Sequence, residues 1–254
     1  MREKIGYGFL GMVLLVFSWT VIGFLIFSQE SYEQFSGFLP IPTLKSLIEL
    51  VQEYSFWSSV YASLRRIVIS IFIAATIGIP LGVLLGFYEK LKMISYPPIQ
   101  FLRMISPISW MPIALLVFQS FESAIVFLLI MATIWPIIIN TTLGVTRVES
   151  RWLLMAINQG AKNYQLIFKI IIPSTIPYML TSLRMALGVA WIVLVPAEFL
   201  GISSGLGYLI NDARDTMSYD RLMAIVIAIG IIGTILDTLI DLIQKPFQWT
   251  RAKQ

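Results

Sequence analysis

The stretch SAIVFLLIMATIWPIIINTTLGVT, Ser123 to Thr146, decides the fold class of this 254-residue chain. It contains no charged residue, and its length is near the roughly 20 residues that a helix needs to cross a bilayer. Of all residues, 57% are hydrophobic and only 13% are charged. A soluble domain of this size cannot bury so much apolar surface. The sequence therefore predicts an all-α integral membrane protein.

Apolar segments like this one recur on both sides of it. The first is not taken for a signal peptide, because its apolar run is longer than the roughly 7 to 15 residues of such a peptide. The sequence predicts six membrane-spanning helices, near residues 6–28, 67–88, 104–121, 123–146, 177–200 and 222–243.

The placement of lysine and arginine predicts the orientation of these helices. With a cytoplasmic N-terminus, twelve fall on the cytoplasmic side: Arg2, Lys4, Lys90, Lys92, Arg103, Arg147, Arg151, Lys162, Lys169, Lys245, Arg251 and Lys253. Five fall on the other side: Lys45, Arg65, Arg66, Arg214 and Arg221. Positive charge concentrates on the cytoplasmic side of membrane proteins, so we expect both termini and the segment 147–176 in the cytoplasm.

Several kinds of chemistry are excluded by residue type. The chain has no cysteine and no histidine, which removes disulfides, thiol nucleophiles and imidazole metal ligands. It has no G-x-x-x-x-G-K-[ST] motif for ATP, and its basic residues are scattered between apolar blocks, which does not indicate a nucleic-acid surface. We therefore predict no catalytic residues, no metal site and no nucleic-acid partner.

The segment SRWLLMAINQGAKNYQLIFKIIIPSTIP, Ser150 to Pro177, is too polar to span a membrane yet has a helical rhythm. It predicts two short helices separated at Gly160, the second carrying Tyr164 and Phe168 and halted by Pro173 and Pro177. Apolar side chains exposed on a cytoplasmic helix need a cover. The residues alone leave open whether the cover is this chain or a second protein.

The spacing in this segment resembles a known loop. A glycine at Gly160, an amphipathic helix and a proline thirteen residues on, at Pro173, resemble the cytoplasmic EAA loop of ABC importer permeases. The next stretch, YMLTSLRMALGVAWIVLVPAEFLGISSGLGYLINDARDT, resembles the branch that imports nitrate, sulfonates and taurine. One departure is that Leu154 and Met155 stand where that loop has glutamate and alanine.

The resemblance implies a single permease domain over residues 1–254, with a coupling loop at 147–176 between the fourth and fifth spans. It implies a multi-pass subunit of the bacterial cytoplasmic membrane, in contact with lipid, that moves a small oxyanion such as nitrate, a sulfonate, taurine or bicarbonate by alternating access. The chain would bind no cofactor and would not be an enzyme. Its implied partners are a second permease subunit in a homodimer, two subunits that bind ATP and Mg, and an extracytoplasmic substrate-binding protein. The residues implied to couple it to the ATPase are Ala156, Gly160, Tyr164, Phe168 and Pro173.

Candidate path residues lie on the fifth predicted span. Arg184, Trp191 and Glu198 are seven residues apart and share one helical face with Gly188. We predict that this face lines a translocation path, with Arg184 offering positive potential to an anion. Alternatively, Arg184 snorkels to the interface, Trp191 packs between helices, and Glu198 pairs with Arg214 or Arg221.

Two residues near a proline pair are further path candidates. Ser106 and Trp110 lie in SPISWMP, where Pro107 and Pro112 interrupt a span.

The alternative function is an ion-coupled secondary carrier, which would ordinarily place acidic residues at mid-membrane. Here Glu198 falls near an outer end.

Overall fold

The computed structural model describes residues 2–27 and 30–245. Over these residues the chain is helical and has no strand. Ser28, Arg251 and Lys253, which entered the predictions above, lie outside the described residues, and the side chains of Arg2 and Lys4 are not described. The α-helices are α1 Arg2–Phe27, α2 Pro40–Gln52, α3 Tyr54–Phe87, α4 Glu89–Met104, α5 Met111–Val117, α6 Phe121–Thr146, α7 Ser150–Asn158, α8 Asn163–Leu166, α9 Ile172–Phe199, α10 Leu206–Asp215 and α11 Tyr219–Gln244.

The prediction of an all-α membrane protein is confirmed. By length and composition, five helical segments of the described chain could each cross a membrane: Gly6–Phe27, Tyr54–Phe87, Phe121–Thr146, Asn163–Phe199 and Tyr219–Gln244. The helices Glu89–Met104 and Pro107–Val117 meet at a bend, and they form a sixth crossing if the two together count as one span.

The structure differs from the prediction at the third span. No helix runs from Met104 to Phe121; α4 ends at Met104, and the chain bends by 88° before Pro107–Val117. Proline lacks an amide hydrogen and disfavours a helical residue before it. Pro107 therefore places the break at Ile105 and Ser106, next to a 3₁₀ turn at Pro107–Trp110.

The second span also differs, because α3 begins at Tyr54 and not at Ile67. Arg65 and Arg66 thus lie inside a helix and not in an outer connection. Arginine is a good helix former, so its charge did not end the helix. Arg66 is 1% exposed, and its charge is satisfied by partners described below.

The described chain divides into two compact units. The first comprises residues 1–62 and 203–232. Its aromatic centre includes Phe35, Phe38 and Tyr219, with the Phe35 and Tyr219 ring centroids 4.8 Å apart. The guanidinium of Arg221 donates to both carboxylate oxygens of Glu53, at 2.8 and 2.6 Å. These hydrogen bonds hold the pKa of Glu53 below its ordinary value of 4.5.

The second unit comprises residues 63–202 and 233–254. In it, α3 and α6 pack through a stripe of small residues at Gly78, Gly82 and Gly86. A Cβ at Gly82 would lie 2.6 Å from the Thr141 Cβ, so only glycine allows this close approach of helices. The Thr141 hydroxyl is buried there and has no hydrogen-bond partner among the described residues.

Candidate functional site

The predicted coupling loop begins with α7, an amphipathic helix whose apolar side chains largely point outward. No residue of α7 is fully buried. Trp152, Leu154 and Met155 are each 59% exposed, whereas Ala156 is half-buried. An exposed apolar patch of this kind marks a contact surface.

Gly160 ends α7 in a Schellman motif. Its φ is +83°, a left-handed conformation that glycine adopts without strain. Its amide donates to the Ile157 carbonyl at 2.9 Å, and the Ala161 amide donates to the Ala156 carbonyl at 3.0 Å. These two bonds are the hydrogen bonds of that motif. A Cβ at Gly160 would meet no atom within 4 Å, so the residue is required for its backbone angle and not for space.

The second short helix starts after this turn and does not stop at the prolines. The Lys162 amide donates to Gln165 Oε1 at 2.8 Å, and α8 leads into a π-helical turn at Ile167–Ile171 and then into α9. In that turn, the Ile172 amide donates to the Ile167 carbonyl, five residues back. Pro173 then falls in the first turn of α9, where its missing amide hydrogen costs little.

The predicted break at Gly160 and the short helix before it are confirmed, but the second helix is not short and the predicted halt at Pro173 and Pro177 is wrong. The π turn carries the helix past Pro173, and Pro177 lies inside α9. Tyr164 and Phe168, 58% and 68% exposed, project outward, while Leu166 and Ile171 are buried beneath them.

The four candidate path residues of α9 lie in different environments. Gly188 is on an open face, with no atom within 4 Å of where a Cβ would lie. Trp191 packs against α11, since a Cβ at Gly233 would be 2.6 Å from its Nε1. Arg184 and Glu198 belong to two separate charge clusters. The role of this stripe in a path stays a prediction.

Arg184 pairs with two carboxylates on α11. Its Nε and Nη2 donate to Asp237 at 2.9 and 2.8 Å, and its Nη1 donates to Asp241 at 2.5 Å. Lys245 Nζ lies 3.6 Å from Asp241. The formal charges of these four residues sum to zero, so the charge of Arg184 is neutralised within this group. Its ion pairs link α9 to the last turns of α11.

Glu198 is buried with Arg66, which sequence reasoning had assigned to an outer connection. Arg66 Nη1 donates to Glu198 Oε1 at 2.5 Å, and the Ser63 hydroxyl donates to the same carboxylate at 2.8 Å. Arg66 Nε and Nη2 also donate to Glu122 Oε2, at 3.0 and 2.7 Å. We name Ser63, Arg66, Glu122 and Glu198 the Arg66 cluster; it joins α3, α6 and α9.

The two candidates at the bend also differ in burial. Ser106 is exposed at the break, where its carbonyl accepts the Ser109 amide at 3.0 Å. Trp110 is half-buried and packs against the core of the second unit, which includes Ile125, Leu128 and Leu194. The bend thus presents a polar group on one side and anchors an aromatic ring on the other.

Fold and surfaces together define a polytopic α-helical membrane protein that carries an exposed apolar segment between its spanning helices. The family model of binding-protein-dependent transport system inner membrane components matches residues 78–248, more than half of the chain. The chain therefore belongs to this family, as the EAA-loop resemblance predicted.

Individual relatives and a solved structure agree with this membership. The bicarbonate transport system permease protein CmpB of Synechococcus elongatus is 33% identical over 241 residues, which cover 89% of this chain and 86% of that protein. The nitrate import permease protein NrtB of the same species is 38% identical over 183 residues, covering 70% and 65%. A chain of the MetNI methionine ABC transporter, in inward-facing conformations, matches with a TM-score of 0.62 at 16% identity over 81% of this chain and 98% of that one. That last likeness concerns the fold.

Family membership makes this chain an inner-membrane permease subunit of an ABC transporter. In such a system the ATPase is a separate subunit. ATP-binding subunits and a substrate-binding protein are therefore the partners that membership implies.

Proposed function

We propose that this subunit imports a small oxyanion into the cytoplasm by alternating access, as one of two permease subunits in a homodimer. The relatives named for bicarbonate and nitrate transport support this substrate class. In this proposal both termini and the coupling loop face the cytoplasm. The chain itself binds no cofactor and has no enzymatic activity, and ATP and Mg are held by two partner subunits.

The observation that carries the proposal is the exposed apolar surface of the coupling loop. Trp152, Leu154 and Met155 on α7 and Tyr164 and Phe168 on the following helix are all more than half exposed. We propose that an ATP-binding subunit covers them. Leu154, at the position of the usual glutamate, then contributes apolar area and not a charge-assisted hydrogen bond, which elsewhere contributes roughly 1.5 to 3 kcal/mol.

ATP hydrolysis by the complex tests this surface. The complex is reconstituted in lipid with its ATP-binding subunits and binding protein, and Tyr164→Ala with Phe168→Ala is compared with Trp152→Ala with Met155→Ala. Both pairs should leave the chain folded but abolish the stimulation of hydrolysis by loaded binding protein. A control is Leu116→Ala with Ile192→Ala, which removes apolar side chains that are 88% and 74% exposed and lie outside the loop. Equal stimulation in all three variants would show that the coupling surface lies elsewhere.

We propose further that the path passes the face of α9 with Gly188 and the bend with Ser106 and Trp110. Arg184, Trp191 and Glu198 complete this stripe, and the two charged members hold α9 in place. The open space at Gly188 supports the proposal. Gly188→Trp should block uptake, whereas Val68→Trp, at a 66% exposed position on α3 away from this face, should not. Equal uptake by both variants would refute the path.

Labelled uptake into the same vesicles tests the substrate class. Nitrate, bicarbonate and taurine are offered in turn, each with ATP inside and the cognate binding protein outside. We expect one small oxyanion to accumulate. Accumulation of none of the three, in vesicles that still hydrolyse ATP, would refute the proposed class.

A further inference from the structure

A cleft of about 620 Å³ opens at one end of the second unit, between α4 and the ends of α3 and α6. Its wall is mostly apolar and includes Met93, Ile99, Ile139 and Leu143. Lys92 and Arg103 also line it, near opposite ends of α4. The cleft therefore combines an apolar wall with two cations.

Among residues 2–27 and 30–245, no ion pair neutralises Lys92 or Arg103. Arg66, Arg184 and Arg221, by contrast, each hold a carboxylate. Two cations without an ion-pair partner, beside an apolar wall, are complementary to an anion that also has a long apolar group.

The packing of α4 also indicates that something else covers this cleft. None of the residues of α4 is buried, although the helix is 16 residues long. Met93, Ile94 and Phe101 are among its strongly exposed apolar side chains. An apolar helix face that its own chain leaves uncovered is available to an external apolar surface.

We propose that this cleft binds an anionic phospholipid, whose headgroup is attracted by Lys92 and Arg103 and whose acyl chain lies along the apolar wall. Basic pockets between membrane helices recognise anionic headgroups in this way. A cavity of this volume is of the size that holds a drug-sized ligand, far larger than a small oxyanion. The cleft lies at the end of the unit where α6 leads into the coupling loop, so its assignment to the cytoplasmic leaflet rests on the proposed orientation.

A second copy of the chain is a poorer occupant. In a two-fold contact through the same patch, each protomer offers the same residues to the other. Such a contact would bring a second copy of Lys92 and of Arg103 to the patch, and the residues that line the cleft include no carboxylate to balance them. A lipid phosphate, by contrast, brings negative charge to the cleft.

Lipid retention by the purified full-chain complex tests the proposal without any transport measurement. The complex is incorporated into nanodiscs containing phosphatidylglycerol and phosphatidylethanolamine, re-extracted in mild detergent, and analysed by native mass spectrometry. The variant is Lys92→Gln with Arg103→Gln. The control, Lys90→Gln with Lys169→Gln, removes the same charge from two exposed positions outside the cleft.

Wild type and control should retain phosphatidylglycerol in preference to phosphatidylethanolamine. The cleft variant should lose at least about tenfold in affinity for phosphatidylglycerol, since each cation near an anionic headgroup contributes about fivefold. Ile139→Trp, which fills the apolar wall, should also displace the lipid while both cations remain.

Three outcomes would overturn the proposal. Equal retention by the cleft variant and its control would show that any bound lipid sits elsewhere. Release of the lipid by nitrate or bicarbonate would assign the cleft to the transported anion. A further variant carries Tyr96→Cys as its one change. If a disulfide joins two copies of that variant and no lipid is retained, the cleft would be assigned to a dimer contact. If the proposed function failed while phosphatidylglycerol retention kept this pattern, the lipid site would stand.

Discussion

Removing the guanidinium of Arg66 should destabilise the second unit more than any other single change in its charge clusters. Arg66→Leu leaves the Glu198 carboxylate, which is 0% exposed, without the cation 2.5 Å away. Breaking a buried pair by deleting one partner costs about 3 to 5 kcal/mol. The Glu122 side contributes little to this loss, because that side chain is 41% exposed and exposed pairs contribute about 0 to 1 kcal/mol.

Substitutions of the two carboxylates of the Arg66 cluster give the destabilisation with which that of Arg66→Leu is compared. Glu122→Gln should cost at most about 1 kcal/mol. Glu198→Gln keeps the shape of the side chain and leaves Arg66 paired with Glu122, so it should cost about 1 to 3 kcal/mol. The expected order of destabilisation is Arg66→Leu, then Glu198→Gln, then Glu122→Gln.

Thermal unfolding of the full chain in detergent, followed by tryptophan fluorescence, measures this order. For a chain of this size, about 1 kcal/mol corresponds to roughly 2 to 4 °C, so Arg66→Leu should lower the midpoint by roughly 6 to 20 °C. Arg66→Leu combined with Glu198→Leu should recover most of that loss, because replacing both members of a buried pair by apolar residues is often neutral. A midpoint for Arg66→Leu equal to that of Glu122→Gln, or no recovery in the double variant, would refute this reasoning.

Three further predictions concern other positions. Gly160→Ala should cost about 1 to 2 kcal/mol at the end of α7, because its φ of +83° is strained for an L-residue, and hydrogen exchange should quicken in α7 but not in α6. Thr141→Val should be neutral or stabilising, because the buried hydroxyl has no hydrogen-bond partner among the described residues. Thr133→Val loses a 2.7 Å hydrogen bond to the Leu129 carbonyl and should lower the unfolding midpoint. Equal midpoints for the two variants would contradict this prediction. Because the pKa of Glu53 is lowered in the folded state, its pair with Arg221 should stabilise the chain fully above about pH 4.5 and lose this effect as the pH falls through the folded-state pKa. The midpoint difference between wild type and Glu53→Gln should therefore vanish in acid, and its persistence would contradict the prediction.

Much of the helical architecture could be predicted from local sequence because apolar length is a local property. The charge-free stretch from Ser123 to Thr146 forms most of α6, and the predicted sixth span at 222–243 lies within α11. Helix ends at prolines were less predictable. Pro107 broke a predicted span, whereas Pro173 did not end a helix, because a π turn just before it accommodates the ring.

The charge clusters could not be predicted because their members are distant in sequence. Arg66, Glu122 and Glu198 lie on three helices, and counting charges for topology had placed Arg66 in a connection. Glu198 had been considered for pairing with Arg214 or Arg221, yet Arg221 binds Glu53. The exposed residues Trp152 and Met155 were visible in the amphipathic pattern of α7, but the interpretation had emphasised Tyr164 and Phe168.

The π turn at Ile167–Ile171 has a mechanical consequence for the proposed transport cycle. Because it joins α8 to α9 without a break, Asn163–Phe199 is one helical segment of 37 residues, about 55 Å long at 1.5 Å per residue. Tyr164 lies near one end of this segment and Glu198 near the other. In the proposed cycle, a partner that covers the exposed rings would push on one end of a continuous helix whose other end the Arg66 cluster holds.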